Sequence, residues 1–395
     1  MREYDYIIAG GGLAGLSLLY HLLQSSLKNF SIALVDRERK SKNDRTWCYW
    51  TNEPHIFDSI AYSRWDYLHF YGAIDDGAAW QQRFSLRPYR YQMVRGIDFY
   101  QEVNRLIDQF PNVERLFGSV DKIIDESNGA RVEVDGQEYF GRYVFDSRFV
   151  PESFFLDRKK YHDVKQHFLG WEIECSRDVF DPQALTLFDF RLPQQGEMRF
   201  MYVLPTSARK AIVEFTLFSN RLLKREEYEQ ELERYVREVL YLSEHEYQVI
   251  EQENGIIPMT DQPFQRKIGK HQLRIGTAGG MVKASTGYAF FRIQKDSAAI
   301  VESLERYSHP FALKSSPLRY RLFDTLLLDI LQYRGELAEP IFTRLFAHNP
   351  IGRLFRFLDE QGGVRENLLL MATTRWRYFF RAMWDIVIHG KGRSR

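Results

Sequence analysis

Three glycines near the N-terminus, Gly10, Gly12 and Gly15, follow the spacing GxGxxG. In this pattern the first glycine permits a tight turn, the second lets a pyrophosphate approach the backbone, and the third lets a helix pack on a sheet. Asp36 lies 21 residues after Gly15, where an acid can bind ribose hydroxyls and disfavours a 2′-phosphate. The spacing therefore predicts a dinucleotide site rather than an incidental glycine turn. Its predicted contacts are Gly10, Gly12, Leu13, Ala14, Gly15 and Asp36.

A second glycine-rich segment, residues 276–280, is followed closely by Ser285, Thr286, Gly287 and Tyr288. Glycines between a strand and a helix are typical of close backbone contact with a flavin ribityl chain or a diphosphate. Two such segments favour FAD over NAD, because the longer cofactor must be held at both ends. An ordinary flexible loop is the alternative interpretation. The predicted contacts here are Gly276, Thr277, Gly280, Thr286 and Gly287.

One carboxylic acid, Glu214, lies inside an apolar run from Ala211 to Leu217 that predicts a strand. A carboxyl group among apolar neighbours is costly to ionise, so its pKa should rise. Such a group can exchange protons near neutral pH, which makes Glu214 a candidate acid–base catalyst. The alternative is a solvated glutamate on one face of the strand.

The elements that would position these residues begin with a βαβ unit. A strand over Tyr4–Ala9, a helix over Leu13–Leu27 and a strand over Ser31–Val35 enclose the first glycine turn and imply a parallel pair. Further helices are predicted over residues 96–110, 225–242 and 288–307, and strands over residues 113–120, 131–134, 143–146, 168–173 and 211–217. Residues 50–95 are aromatic and strand-like without a clear assignment.

This order predicts an α/β fold. A Rossmann-like FAD-binding domain is interleaved with a strand-rich substrate domain, and a helical C-terminal part follows. The late glycine segment returns to the domain that the first one opens. The predicted FAD-binding domain covers residues 1–75, 96–164 and 268–318, the substrate domain covers residues 76–95 and 165–267, and the helical part covers residues 319–395.

Composition limits the function classes. The 395 residues carry 54 basic and 53 acidic side chains, so no overall electrostatic field favours the binding of nucleic acid. Cys48 and Cys175 are the two cysteines, and neither CxxC nor HExxH occurs, which argues against a disulfide framework and against a metal site. Aromatic residues reach 15%, as in a Phe-rich core or in a pocket for a large apolar ligand.

The two ends of the chain bear on location. No apolar signal-peptide region follows Met1, and no apolar run approaches about 18 residues, so a cytoplasmic protein without a spanning helix is expected. The C-terminal segment mixes aromatic and basic residues, which is typical either of a solvated basic face or of a helix that dips into lipid headgroups at the cytoplasmic membrane. These residues are Arg365, Arg375, Trp376, Arg377, Tyr378, Phe379, Phe380, Arg381 and Trp384.

Several segments together resemble bacterial lycopene β-cyclases. They are Asp5 to Ser17, Asp44-Arg45-Thr46-Trp47-Cys48-Tyr49-Trp50, Gly276 to Gly280, Ser285-Thr286-Gly287-Tyr288, Phe342 to Phe346 with Asn349-Pro350, and Arg356 to Asp359. The likeness covers nearly the whole chain in the right order. Flavin hydroxylases and reductases of the same broad fold usually carry Gly-Asp where this chain has Gly276-Thr277. That departure suits a cyclase.

The resemblance implies an enzyme that converts the linear ψ-ends of lycopene into β-ionone rings, which leads to β-carotene. The reaction would be a carbocation cyclisation without net oxidation. The resemblance implies reduced FAD, with NAD(P)H as the source of electrons, and a flavin contact for Arg45. It also matches Glu214 to the family's catalytic glutamate, as a base or proton relay, while the flavin would stabilise the cation or serve as the acid. Trp47, Tyr49 and Trp50 would either be core residues or shield the cation with their ring faces.

Two other classes stay open. A redox flavoenzyme, such as a hydroxylase or a polyprenyl reductase on another apolar substrate, would couple net oxidation or reduction to NAD(P)H turnover. A flavin- or carotenoid-binding protein without turnover would leave lycopene unchanged. Arg95 fits a surface or cap residue, whereas the resemblance implies the flavin side. Asp146 ends a strand, where it fits a turn cap, and it also resembles an aspartate of the family.

Overall fold

The structure is a computed structural model that describes residues 1–74, 77–149 and 156–392. The predicted domain boundary between residues 75 and 76 lies outside these residues. In chain order the strands are β1 (Arg2–Ala9), β2 (Ile32–Asp36), β3 (Thr46–Thr51), β4 (Ser63–Trp65), β5 (Tyr67–Ile74), β6 (Ala78–Ser85), β7 (Arg90–Arg95), β8 (Val113–Phe117), β9 (Val120–Asp125), β10 (Ala130–Val134), β11 (Gln137–Asp146), β12 (Val164–Cys175), β13 (Ala184–Asp189), β14 (Met198–Pro205), β15 (Lys210–Ser219), β16 (Tyr247–Met259), β17 (Lys267–Ile268) and β18 (Gln272–Arg274). The α-helices are α1 (Leu13–Leu23), α2 (Gly96–Ile107), α3 (Arg225–Glu238), α4 (Phe290–Tyr307), α5 (Leu318–Tyr333), α6 (Ala338–His348), α7 (Ile351–Leu358), α8 (Val364–Ala372) and α9 (Trp376–His389).

The first sheet is centred on β1 and has the strand order β17-β18-β11-β1-β2-β8. Strand β1 pairs in parallel with β2 and β11, and β18 also pairs in parallel with β11. Strands β9 and β10 extend the sheet by antiparallel pairing. Helices α1, α2 and α4 pack over one face through buried residues such as Leu18, Phe99 and Phe290. This arrangement confirms the predicted α/β class and its parallel βαβ opening.

Two predicted boundaries in this region are wrong. Helix α1 ends at Leu23, because Ser25 Oγ donates to the Leu22 carbonyl (2.8 Å) and accepts the Leu27 N–H (3.1 Å), which replaces the next helical turn. The single strand predicted over residues 113–120 is divided into β8 and β9. The chain turns at Gly118, where a Cβ atom would lie 2.5 Å from the Asp135 carboxyl.

Among the described residues, the second sheet has seven strands in the order β16-β12-β15-β14-β13-β5-β6. Its neighbours are antiparallel except for β13 and β5. One face packs on α3 through Leu169, Val213 and Phe215, and the other packs on the C-terminal helices through Phe188 and Phe200. Strand β5 belongs to this sheet although residues 1–75 were predicted to lie in the first domain.

Residues 50–95, which the sequence left without a clear assignment, contain two of the three strands of a third sheet. Its order is β3-β7-β4, with antiparallel pairing throughout. Thr46 is opposite Arg95 and Trp50 is opposite Tyr91. The pairing holds β3, and the loop before it that carries Arg45, beside the second sheet.

The C-terminal part is helical, as predicted, and runs from α5 to α9. Helices α5, α6 and α9 share a small core that includes Ile330, Ile341 and Ala382. In the ranges that the structure describes, no helix combines the length and the apolar character needed to span a membrane.

A buried ion network connects this helical part to the second glycine region. Lys283 Nζ donates to Asp324 on α5 and to Glu360 after α7, each at 2.9 Å. Arg292 Nη1 also donates to Glu360 (2.9 Å), and Ser285 Oγ donates to Asp324 (2.6 Å). Burial alone would raise the pKa of Glu360, but the positive charges of Lys283 and Arg292 lower that pKa to about 2. The loop that precedes Thr286 is therefore anchored on C-terminal helices.

We expect Lys283→Met to lower the free energy of unfolding by about 3–5 kcal/mol, because Asp324 and Glu360 would lose the ammonium group that compensates their buried charge. Urea denaturation followed by circular dichroism measures this change. Lys122→Met is the matched control, since Lys122 is exposed on β9. Equal stabilities of the two variants would contradict a compensating role for Lys283.

Candidate active site

The first glycine turn joins β1 to the N-terminus of α1. Gly10 has a φ of +107°, a left-handed conformation that favours glycine. A Cβ atom on Gly15 would lie 1.9 Å from the Gly10 carbonyl oxygen, so this position needs glycine for packing. A Cβ atom on Gly12 would meet no atom within 4 Å. The backbone at Gly12 therefore borders open space in front of a helix N-terminus, where an anion is favoured.

Asp36 lies at the end of β2 beside this turn. Its Oδ2 accepts a hydrogen bond from the Gly11 N–H (2.5 Å). A small recess next to the carboxyl is lined by Gly11, Lys40 and Arg115. The arrangement brings the predicted ribose-binding acid to the glycine turn across the parallel strands.

The second glycine segment forms a 3-10 turn over Gly276–Gly279 against the start of α1. Gly276 and Gly280 have φ values of +60° and +75°. A Cβ atom on Gly276 would lie 2.6 Å from the Ala14 Cβ, so the two glycine segments meet where a longer side chain would not fit. Ala14 and Gly276 are thus neighbours in space although they are far apart in sequence.

The residues after this turn present further polar groups. Thr286 Oγ1 is buried and has no hydrogen-bond partner within the described part of the chain. Gly287 has a φ of +74°, and a Cβ atom there would lie 1.9 Å from the Gln166 side-chain oxygen. Thr277, Thr286 and Gly287 line a common cavity with Arg45, whose Nη1 donates to the Asp44 carbonyl (2.6 Å).

These two segments fit FAD. The open backbone at Gly12 and the helix N-terminus suit a pyrophosphate, and Asp36 suits a ribose. The unpartnered Thr286 hydroxyl and the glycine conformations at residues 276, 280 and 287 suit a group bound against the backbone of the second segment. The structure therefore brings the first glycine turn and the second glycine segment together.

A cavity of about 420 Å³ continues from this region over the second sheet. Its wall is mostly apolar and aromatic, with Phe188 and Phe200 on the sheet and Phe342 and Phe346 on α6. Pockets of this volume with few polar groups are typical of small apolar ligands. The aromatic content of the sequence thus supplies both the core and the cavity wall.

Glu214 lies on β15 with its side chain on the cavity face of the sheet. Its neighbours Val213 and Phe215 face α3 in the core. Burial raises the pKa of Glu214 to about 8, and a hydrogen bond from Thr216 Oγ1 opposes this rise only in part. At neutral pH the carboxyl is therefore mainly protonated, and it can donate a proton into an apolar cavity.

Sequence reasoning missed other polar residues on the cavity wall. Tyr202 is opposite Glu214 on the neighbouring strand, and its hydroxyl donates to Tyr91 (2.8 Å). The Tyr91 and Tyr288 hydroxyls form the next hydrogen bond in the chain (2.9 Å). Glu253 on β16 also lines the cavity and accepts the Thr46 N–H (3.1 Å). The one available sequence signal was an acidic residue inside a strand-like segment. This signal is weak, because many acidic residues in strands face solvent.

The aromatic segment at β3 is divided between cavity and core. Trp47 lines the cavity, whereas Tyr49 and Trp50 are 2% and 4% exposed and pack in the core. Trp50 Nε1 donates to Asp359 (2.9 Å). Tyr49 and Trp50 therefore fit the interpretation as core residues, and Trp47 faces the cavity.

Arg95 lies at the N-cap position of α2, where its side chain makes no capping hydrogen bond, whereas Asp146 caps the turn after β11 by accepting the Arg148 N–H (3.1 Å). Arg95 binds Asp98 in the first turn of α2 through two hydrogen bonds, of 2.7 and 2.9 Å. Asp146 accepts from Arg148 (2.8 Å) at the end of β11. The Asp146 carbonyl also accepts the Ile275 N–H (2.9 Å), which holds the strand before the second glycine segment.

Solved structures with the same fold are flavin-dependent enzymes in several cases. The flavin-dependent brominase Bmp2 has a TM-score of 0.64 at 14% identity, with 98% of this chain and 99% of that chain covered. A geranylgeranyl bacteriochlorophyll reductase-like protein from Thermoplasma acidophilum has a TM-score of 0.61 at 13% identity, covering 97% and 99%. PqsL, a probable FAD-dependent monooxygenase from Pseudomonas aeruginosa, has a TM-score of 0.53 at 16% identity, covering 85% and 99%. No curated protein matches the sequence.

The chain thus has the fold that these flavin-dependent enzymes share, and its two glycine segments suit a dinucleotide cofactor. The family described as "Lycopene cyclase protein" matches residues 5–384. The chain therefore belongs to the lycopene cyclase family, in agreement with the resemblance seen in the sequence.

Proposed function

We propose that this protein is a lycopene β-cyclase that binds FAD and converts linear ψ-ends of lycopene into β-ionone rings. The observation that carries the proposal is Glu214, a carboxyl with a pKa of about 8 on the wall of an apolar cavity next to the second glycine segment. Membership of the lycopene cyclase family supports the same substrate. The product would be an isomer of the substrate, so the enzyme is an isomerase.

The reaction adds one proton, removes another and uses the π electrons of two double bonds. Protonation of a terminal double bond leaves a carbocation, which a neighbouring double bond attacks to close the ring. Loss of a ring proton then restores a double bond. Glu214 is the group on the cavity wall that would exchange protons with the substrate, and Trp47 would face the cation with its ring.

The cavity wall supports a hydrocarbon substrate. Phe188, Phe200, Phe342 and Phe346 offer no strong hydrogen-bonding groups and would exclude water from the cation. Reduced FAD, when bound, supplies an electron-rich ring that stabilises positive charge, and NAD(P)H is the proposed source of its electrons. Glycines 12 and 276 and Thr286 would hold the cofactor at its two ends.

Expression in a lycopene-accumulating host, followed by pigment analysis, tests the proposal. We expect β-ring carotenoids to replace lycopene. Purified protein with lycopene and reduced FAD, without oxygen, should give the same product with no net consumption of NAD(P)H. Unchanged lycopene in both assays would contradict the proposal.

A redox reaction on another apolar substrate is the second candidate. It is favoured by the fold, which is shared with a reductase-like protein and a probable monooxygenase. Stoichiometric NAD(P)H consumption with an oxidised or reduced apolar product would identify this function. A binding protein without turnover would bind lycopene and give neither result.

We further propose that α9 contacts the cytoplasmic membrane, since lycopene is insoluble in water. Trp376, Phe380 and Trp384 project from one face of α9, where they are 53%, 53% and 66% exposed. Arg377 and Arg381 are exposed beside them and could bind anionic headgroups. Phe379 and Tyr378, which the sequence grouped with these residues, instead pack against α5 and α6.

Replacing Trp376, Phe380 and Trp384 together by Ser is expected to lower binding to anionic liposomes about tenfold or more, because the apolar face would lose its aromatic groups. Cosedimentation with vesicles measures the bound fraction. Phe117→Ser is the control, since Phe117 is 58% exposed on the first sheet. Unchanged binding by the folded triple variant would exclude α9 as the contact surface.

A further inference from the structure

The cavity wall carries a second carboxyl in register with Glu214. On β12, Gly170 is directly opposite Glu214 of β15 on one side and directly opposite Glu253 of β16 on the other. Residues directly opposite in an antiparallel ladder point to the same face of the sheet. Both glutamates accordingly line the same cavity.

Gly170 leaves the space between the two carboxyls free of a side chain. A Cβ atom at this position would lie 3.5 Å from the Glu214 Cβ and Cγ. The two glutamate backbones are two strand spacings apart, about 10 Å. The space above Gly170 is therefore open, with Glu253 on one side and Glu214 on the other.

The two acids have different surroundings. Glu214 is hydrogen-bonded by the Thr216 hydroxyl and has apolar neighbours, and its pKa is about 8. Burial also raises the pKa of Glu253, and hydrogen bonding by Thr46 and the positive charge of Arg45 offset that rise only in part. The other groups that act on Glu253 are Asp44, Glu214 and Cys48. Environments of this kind favour one protonated and one ionised member of a pair.

We propose that Glu253 is a second catalytic carboxylate, which removes the ring proton after Glu214 has protonated the terminal double bond. The inference rests on the proposed cyclase function. It assigns the two proton transfers to two groups on opposite sides of Gly170 and makes Glu214 the acid.

The step balances in atoms and electrons. The π pair of the terminal double bond forms a C–H bond with the proton from Glu214 and leaves the cation on the other carbon of that double bond. The π pair of the neighbouring double bond then forms the ring bond, and Glu253 takes one proton from the ring carbon next to the new cation. The C–H electron pair becomes the new ring double bond, so no oxidant or reductant is consumed. After the product has left the cavity, Glu253 releases its proton to solvent and Glu214 takes one up, which resets the pair.

Glu253→Gln tests the proposal in the whole 395-residue chain with reduced FAD and lycopene in detergent micelles. We expect β-ring formation to fall about 100-fold or more, with FAD retained. A cation that has lost its base can release a proton from another neighbouring carbon, so the remaining product should contain more rings with a displaced double bond. Glu253→Asp should recover part of the rate and the normal double-bond position.

Glu251→Gln is the matched control, because Glu251 is an exposed acid two residues away on the same strand. It should cyclise at the wild-type rate. A Glu253→Gln rate within threefold of wild type, with the normal product, would overturn the proposal. Failure of the wild-type protein to cyclise lycopene would instead overturn the proposed function.

The pH profile of the wild-type protein is a second test that needs no variant. The rate should rise with pH as Glu253 ionises and fall above about pH 8 as Glu214 loses its proton. Glu253→Gln should lose the rising limb and keep the falling limb. A wild-type profile without a rising limb would contradict the assignment of Glu253 as the base.

Discussion

Glu214→Gln is expected to fold and to retain FAD, yet to cyclise lycopene about 100-fold more slowly or worse than the wild-type protein. Glutamine keeps the shape of the side chain and can still bond to Thr216, but it cannot deliver a proton. The cavity wall around Glu214 is apolar, so solvent cannot readily replace the lost acid. Bound FAD, measured by its absorbance, and the cyclisation rate with reduced FAD give the two readouts.

Glu172→Gln provides the matched control for this variant. Glu172 also lies in the second sheet, but it forms an ion pair with Lys210 (3.0 Å) and does not line the cavity. Asp189→Asn should also retain more cyclisation than Glu214→Gln, because Asp189 bonds to Arg191 and Tyr235 away from the cavity. Near wild-type β-carotene formation by Glu214→Gln would leave Glu214 with a structural role only.

Gly12→Val should fold normally and bind FAD about 100-fold more weakly or not at all. Its side chain would extend into space that is open in the protein and that the pyrophosphate would need. Equilibrium dialysis or flavin fluorescence measures the affinity, and circular dichroism measures the fold. Normal FAD affinity in a folded Gly12→Val protein would refute a pyrophosphate site at this turn.

Substitutions at two other glycines serve as controls for this result. Gly363→Val is the matched control, since a Cβ atom there also meets no atom within 4 Å but lies in the C-terminal part before α8. It should keep normal FAD affinity. Gly15→Val should fail to fold, because its Cβ atom would overlap the Gly10 carbonyl oxygen. The contrast between residues 12 and 15 separates a binding defect from a folding defect.

The sequence by itself determined the opening of the fold. Glycine spacing, a helical apolar period and a β-prone run are local properties, so the βαβ unit and its dinucleotide turn could be predicted without long-range contacts. The apolar strand around Glu214 was predictable for the same reason. The boundaries that were wrong, at Leu27 and Gly118, depended on side-chain hydrogen bonds and close packing.

Only the tertiary structure decided which residues share the candidate active site. Strand alternation allows the Glu214 side chain to lie on either face of the sheet. Because Val213 and Phe215 pack on α3, the Glu214 side chain lies on the opposite face, toward the cavity. The position of Glu253 opposite Gly170 depends on the register between β12 and β16, which no local pattern contains. Helix rotation likewise turned Phe379 inward and left Trp376 exposed. Register and rotation are set by burial against distant segments, and for that reason the sequence could predict Glu214 but not its partner.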